Sequence, residues 1–277
     1  MSGSDTVNDA RSHGFTQVSV PYGYERFMLR QLFEPWAREL VLRAGLRRGW
    51  SVLDVASGLG PVARLAAAAV GSAGRVVASD ISAPMLALAA THLVPPGWAA
   101  IEFLEAPATA IGVRDGTFDA VLCAHGLQFF TGRAEAVREM HRVARPGAVV
   151  VVSTWAAERP LGLFGPIGET LQELGIAEPY PLAFDPGSYR LDAASLADLL
   201  RTSGWHDVEV ETVELDAKWD RAEAAASTLL GTPFGPLVTA LTGDAQDQVR
   251  SRLITKLGGP VDGITVRTAS NIARGVK

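Results

Sequence analysis

Ser51-Val52-Leu53-Asp54-Val55-Ala56-Ser57-Gly58-Leu59-Gly60-Pro61 is the stretch that decides the fold. Ser51 to Val55 is short and apolar, as expected for a strand buried on both faces of a parallel sheet. Ala56, Ser57, Gly58 and Gly60 are small, so the backbone can turn sharply and a ligand can approach it closely. Pro61 suits the first position of a helix. The alanine-rich run Val62 to Val70 continues that helix, and Gly71 stops it. Arg75 to Asp80 then reads as a second strand ending in a carboxylate. An acid there is where a nucleotide-binding fold holds ribose hydroxyls.

Two readings of this stretch compete. In one, the glycines merely turn a βαβ unit. In the other, they form a site for an adenosine-containing cofactor, and Asp80 favours this reading. The spacing is not the dinucleotide fingerprint, because only Gly58 and Gly60 are in place and Pro61 follows at once. No P-loop Gly-Lys-Ser or Gly-Lys-Thr follows.

Working outward, Glu25 to Ala44 is predicted as a helix broken near Pro35 and ended by Gly45. The polar stretch from Met1 to about Val18 is expected to fray. Ala83 to Leu93 reads as a helix, and Ala99 to Leu104 as a third strand. Phe118 to Ala124 reads as a buried fourth strand ending at His125-Gly126. A helix capped by Thr131 should run to Val143, before a valine-rich fifth strand, Ala148 to Thr154. Strands alternating with helices imply a parallel sheet.

After Trp155 the character changes. Pro160 to Pro186 is rich in proline and glycine, with one amphipathic segment at Ile167 to Leu174. Asp192 to Thr202 reads as a helix, and Val208 to Leu215 alternates as a strand. Arg221 to Leu257 reads as two helices parted near Gly243-Asp244, and Gly263 to Ala269 as a last strand.

The bulk numbers narrow the class. The chain has 277 residues, 48% of them hydrophobic, enough for a substantial core. Its formal net charge is -5 with no long basic run, which argues against a nucleic-acid partner. Cys123 is the single cysteine, so no internal disulfide can form and a reducing cytoplasm is expected. No zinc-type Cys/His spacing occurs, and no metal site is expected. No apolar stretch is long enough to span a membrane.

The motifs together resemble those of class I S-adenosylmethionine-dependent methyltransferases, in the branch of ubiquinone and menaquinone biosynthesis and many small-molecule enzymes. Val52 to Gly60 resembles the first motif and Asp80-Ile81-Ser82-Ala83-Pro84-Met85-Leu86 the second signature. Asp115 to Val121 is similar to the lead-in to the fourth strand, Gly126 to Phe130 to the pattern after it, and Met140 to Gly147 to the turn before the fifth. The matches fall in the family's order across roughly Trp36 to Trp155.

The resemblance implies an α/β, doubly wound, Rossmann-like, mostly parallel sheet with an antiparallel C-terminal edge strand. It implies an N-terminal cap at 1–34, a cofactor-binding core at 35–155 and a lid-like insertion at 156–191. Residues 192–277 would complete the same domain, with a helical insertion at 221–257.

The implied cofactor is S-adenosylmethionine, leaving as S-adenosylhomocysteine. Free amides of the first helix would face its carboxylate, among Ala56, Ser57, Gly58 and Gly60. Asp54 would hold its ammonium, or else brace the turn. Asp80 would take both ribose hydroxyls, and Ile81 and Met85 would pack on adenine or simply fill core. Where the family often has an aspartate for the adenine amino group, this chain has Pro107. Ala108 still offers an amide and Thr109 a hydroxyl. Ala124 and His125 end the fourth strand at the cofactor.

Tyr22, Tyr24, Gln128 and Trp155 are expected at the substrate pocket. Tyr22 and Tyr24 could equally pack the helix on the core. His125 is the catalytic candidate, a base for a hydroxyl acceptor; its alternative is to line the pocket. His13 is a weaker candidate, and His92, His141 and His206 read as surface residues. The implied reaction moves a methyl group to oxygen, nitrogen or activated carbon of a small molecule, as in secondary metabolism. The alternatives are a cyclase or a non-catalytic binding protein on the same fold. The expected state is a cytoplasmic monomer or homodimer without nucleic-acid or membrane partners.

Overall fold

The computed structural model describes residues 19–160, 162–176, 190–260 and 262–277. The expected frayed N-terminus and residues 161 and 177–186 of the Pro160 to Pro186 insertion lie outside them, as does His13. One seven-stranded sheet runs through the chain in the order β3-β2-β1-β4-β5-β7-β6. Its strands are β1 (Ser51–Val55), β2 (Arg75–Asp80), β3 (Ile101–Glu105), β4 (Phe118–Ala124), β5 (Ala144–Trp155), β6 (His206–Arg221) and β7 (Asp262–Val276). β3, β2, β1, β4 and β5 pair in parallel, and β7 runs antiparallel to both β5 and β6. The fold is therefore the Rossmann-like α/β architecture expected, with its antiparallel pairing at the β5-β7-β6 side.

Val52, Leu53, Val121 and Leu122 are buried because helices cover both faces of the sheet centre. One core holds Trp36, Leu40, Val62, Ala66 and Val151, with Trp219 and Phe234 joining it. The other holds Leu53, Phe118, Leu127, Met140, Val150 and Trp205. β1 and β4 are adjacent, with chain order running away on either side of them. That switch point leaves a crevice at the carboxyl ends of the strands.

The N-terminal segment departs from expectation. It winds without interruption from Ser19, through a π-helix at Glu25–Phe33, into the α-helix Glu34–Ala44. Proline here changes the winding instead of breaking it. Pro35 has no amide to donate and sits in the first turn of the α-helix, while the Glu34 amide reaches back five residues to Leu29 O. Thr131 does not cap the helix Arg133–Val143; Gly132 occupies that position without a side-chain bond. The helix after β2 ends at Ala89. β6 and β7 are twice the expected length, because their register continues unbroken from Glu209↔Arg274 to Trp219↔Ile264. The 221–257 stretch is not two helices. It comprises helices Ala222–Ala226, Gly235–Thr239 and Gly243–Lys256, with a 3-10 turn at Ser227–Gly231. Among the described residues no helix is long and apolar enough to cross a membrane.

Candidate functional site

The glycine turn after β1 is held by one hydrogen bond within itself and by others to the end of β2. Ala56, Gly58 and Gly60 all have positive φ, at 55°, 53° and 73°. Ala56 is the costly one, because a Cβ disfavours that conformation. Gly60 N donates to Ser57 O at 2.8 Å, and Ser57 N to Ser79 O at 3.0 Å. Gly58 N donates to Asp80 Oδ2 at 2.7 Å, and Ser82 N to Asp80 Oδ1 at 2.9 Å. Asp80 thus ties the turn to the end of β2. Asp54 is buried and accepts from Ala63 N at 3.0 Å. The amides of Ser57, Gly58 and Gly60, expected to be free, are engaged. The buried Ser57 hydroxyl has no hydrogen-bond partner among the described residues.

A second brace comes from the N-terminal segment. His92 Nε2 lies 2.6 Å from Glu25 Oε1, and His92 Nδ1 lies 2.9 Å from Arg64 Nη1. Arg64 Nη1 also donates to Leu59 O at 2.6 Å. A carboxylate only accepts, so Nε2 carries the proton and Nδ1 accepts from Arg64. His92, read from sequence as a surface residue, links the π-helix to the glycine turn.

At the carboxyl ends of the strands lies a cavity of about 500 Å³. It is lined by Tyr24, Asp54, Ala56, Ser57, Gly58, Asp80, Ile81, Met85, Pro107, Ala108, Thr109, Ala124, His125, Gln128 and Trp155, all of them expected site residues. Two expected residues are not in its wall. Tyr22 is 61% exposed, on the opposite side of the helix from Tyr24. Gly60 starts the helix Pro61–Val70 and is absent from the lining.

Met28 and Phe33 on the π-helix, and Phe164 and Ile167, come from the N-terminal cap and lid-like segments expected at the pocket. Sequence reasoning missed Phe129 to Gly132 after β4, and Gly231 to Phe234 in the C-terminal helical stretch. Gly231 is a point of close approach between that stretch and the N-terminal segment. A Cβ there would lie 2.7 Å from Met28 Sδ and 2.8 Å from Tyr24 Cα. The C-terminal stretch therefore packs directly on the N-terminal segment, and the two cover the cavity together.

The electrostatics divide the cavity. Burial raises the carboxyl pKa of Asp54 well above the usual range and raises that of Asp80, although backbone amides oppose both shifts. Burial also raises Tyr24, reinforced by the charges of Asp80 and Asp54. Asp54 and Asp80 are the charged residues of the lining, and the rest is polar or apolar.

His125 stands at the end of β4 with φ 53°. Its Nε2 lies 2.8 Å from Ser270 Oγ, while Nδ1 is buried without a partner. Its ring stacks on Trp155, and the Trp155 amide donates to Gln128 Oε1 at 3.0 Å. Phe33 and Trp36 meet the imidazole edge-on. Burial pushes the His125 pKa down to about 3, so the imidazole is neutral at ordinary pH.

Comparison with known proteins agrees with this geometry. The chain is 41% identical over 151 residues to the ubiquinone/menaquinone biosynthesis C-methyltransferase UbiE of Hahella chejuensis, covering 53% of this chain and 61% of that one. It is 34% identical over 189 residues to the UbiE of Xylella fastidiosa, covering 66% and 73%. The chain thus spans about three fifths of the length of most of these curated relatives. Among solved structures, it resembles Haemonchus contortus phosphoethanolamine N-methyltransferase 2, in complex with phosphomonomethylethanolamine and S-adenosylhomocysteine. The TM-score is 0.63 at 18% identity, over 98% of this chain and 60% of that one. It also resembles the YcgJ protein of Bacillus subtilis, with a TM-score of 0.55 at 16% identity, over 88% and 98%. These two likenesses show the fold. Residues 7–160 match the ubiE/COQ5 methyltransferase family, and the chain belongs to that family.

Proposed function

We propose that this protein transfers a methyl group from S-adenosylmethionine to a ring carbon of a quinol-type small molecule. The observation that carries this reading is the two-part cavity: the buried Asp54 and half-buried Asp80 at the glycine turn, and an aromatic wall opposite. The residues present fit the cofactor. Each Asp80 oxygen accepts one amide and keeps a lone pair for a ribose hydroxyl. The unpartnered Ser57 hydroxyl suits the cofactor's carboxylate, and Asp54 its ammonium. When bound, the cofactor supplies an electrophilic methyl group on sulfonium.

The residues of the chain bind, orient and exclude water. Phe33, Phe129, Phe164 and Trp155 give the acceptor side an apolar surface suited to a flat ring. In-line displacement gains most from positioning and a dry site. The stack of His125 on Trp155 and the Gln128 bond to its amide hold that wall. The low basicity of His125 and its bond to Ser270 favour lining the pocket over acting as a base.

Carbon as the methylated atom and a quinol as acceptor take support from the names of the curated relatives. A cyclase, a non-catalytic binding role and a place in secondary metabolism gain no support from them. Residues 35–155 serve as the cofactor-binding core in this proposal. The described parts of 1–34 and 156–191 cover it, and 192–277 complete the domain. A cytoplasmic location and a monomer or homodimer complete the reading. The test is incubation with S-adenosylmethionine and a demethylated naphthoquinol kept reduced. Stoichiometric S-adenosylhomocysteine and ring-methylated product are expected. Release of neither, with the cofactor bound, would sink the acceptor assignment.

A further inference from the structure

This inference rests on the acceptor reading above and names what holds the acceptor wall in place. Thr268, Ser270 and Asn271 of β7 are buried polar residues. Successive strand residues point to opposite faces, so Thr268 and Ser270 share one face and Asn271 takes the other. Thr268 Oγ1 accepts from Trp36 Nε1 at 3.2 Å, and Ser270 Oγ lies 2.8 Å from His125 Nε2. Asn271 serves a different part of the chain.

The chain leaves β5 at Ala156, whose amide donates to Ala269 O at 3.0 Å, and comes back beside it at Leu191 through an isolated parallel bridge. Asn271 binds both limbs. Its Nδ2 donates to Glu158 Oε2 at 3.2 Å and to Leu191 O at 3.0 Å, and its Oδ1 accepts from Thr212 Oγ1 at 2.7 Å. Glu158 Oε1 accepts from Ala193 N at 2.9 Å, and Arg190 Nη1 donates to Ala156 O at 3.0 Å. A carboxylate and a carbonyl only accept, which fixes the orientation of the Asn271 amide. An aspartate of the same shape would bring no donor to either limb.

The outgoing limb then follows β7. A Cβ on Gly162 would meet Arg267 O at 2.9 Å and Thr268 Cγ2 at 3.0 Å. Two residues on, Phe164 tilts onto Trp155 with centroids 5.7 Å apart, and Phe164 and Ile167 line the cavity. Asn271 and Glu158 are not in the cavity wall, so the clamp acts on the acceptor side through the limb it holds.

We propose that Asn271 is a positioning residue for the acceptor. By fixing both limbs to β7 it sets where Phe164 and Ile167 meet the acceptor ring. The cofactor's half of the cavity, built on β1 and β2, does not depend on it.

The test titrates menadione, a naphthoquinone without a side chain, into the S-adenosylhomocysteine complex of the full chain, read by quenching of tryptophan fluorescence. Asn271→Asp keeps the acceptor for Thr212 and removes both donors. It should weaken menadione about tenfold, the effect of losing one buried apolar contact. Its S-adenosylhomocysteine dissociation constant, from calorimetry, should stay within about twofold of wild type, as for a distant and independent site. Glu158→Ala removes the anchor of the outgoing limb from an exposed position, so it tests the clamp even if Asn271→Asp does not fold. It should weaken menadione and leave S-adenosylhomocysteine alone. Wild-type menadione affinity in folded Asn271→Asp, or in Glu158→Ala, would overturn the proposal. An equal loss of S-adenosylhomocysteine affinity would overturn it too, because that is general loosening and not positioning. A wild type that binds S-adenosylhomocysteine but not menadione overturns the acceptor reading, and this inference with it.

Discussion

The imidazole of His125 lies flat on the indole of Trp155, with centroids 4.1 Å apart and 29° between the planes. Both rings line the cavity, and Trp36 and Phe33 close round them edge-on. In this setting the histidine is a rigid, neutral plate.

Acid stability should report that neutrality. The folded-state pKa of His125 is about 3, below its unfolded value of 6.5, so the unfolded chain binds the proton first. The contribution of His125 is complete above the unfolded value and is lost as pH falls from there toward the folded one. Asp54 and Asp80 have raised pKa values and work in the opposite sense, so the comparison must be between variants. His125→Phe keeps the stack and removes the titration. Its urea-denaturation free energy should lose less than that of the wild type on acidification, by up to about 3 kcal/mol between about pH 6.5 and pH 4. Parallel profiles would show that His125 is not buried as described.

Turnover should separate the plate from a base. His125→Phe should keep more activity than His125→Ala, because it retains the stack on Trp155. No kinetic ionisation near the ordinary histidine range should disappear in His125→Phe. If one does, the imidazole is the base after all.

Asp80 has two jobs, and its removal should show both. Asp80→Ala frees the amides of Gly58 and Ser82 as well as the ligand hydroxyls. Affinity for S-adenosylhomocysteine should fall by about 1.5–3 kcal/mol, the scale of lost charge-assisted hydrogen bonds. Calorimetry giving wild-type affinity would remove Asp80 from the site.

Binding of the cationic methyl donor should release protons. Its positive charge favours the ionised forms of Asp54 and Asp80, whose pKa values burial has raised. Affinity should therefore rise with pH through the range in which these carboxyls ionise. Calorimetry in buffers of different ionisation enthalpy measures the sign, and proton uptake would contradict the arrangement.

The cover should be sensitive to one methyl group. Gly231→Ala forces a Cβ against Met28 and Tyr24, and should cost about 1–3 kcal/mol of stability through overpacking. Gly243→Ala, with no atom within 4 Å of the added Cβ, serves as the comparison. Equal stability of the two variants in urea would mean that the contact at Gly231 yields freely.

The core was legible because local chemistry dictates it. Small residues after β1, a proline at the helix start and an acid ending β2 have few other arrangements. The cover was not. Tyr22 and Tyr24 look equivalent in sequence, yet two residues apart on a helix is nearly opposite faces, so one points to solvent. The nine-residue π-helix has no pattern of its own in the sequence; it precedes Pro35, and its Met28 packs on Gly231. Thr232 to Phe234 enter the cavity from more than 100 residues beyond the glycine turn, and no local pattern announces such a contact. β6 and β7 ran on past their alternating segments because each supplies the other's hydrogen bonds.

β7 has a further consequence for how the protein assembles. It lies between β5 and β6, so β6 emerges from synthesis before the strand that joins it to the sheet. Its Ser270 is also the partner of His125, 145 residues earlier. Closing so long a loop is entropically costly, and contacts of this range slow folding. The five parallel strands and the glycine turn can form first, but the aromatic wall gains its last hydrogen bond only when β7 docks. Until then, β5 and β6 each present an open strand edge, and a chain stalled at that stage is prone to pair with another.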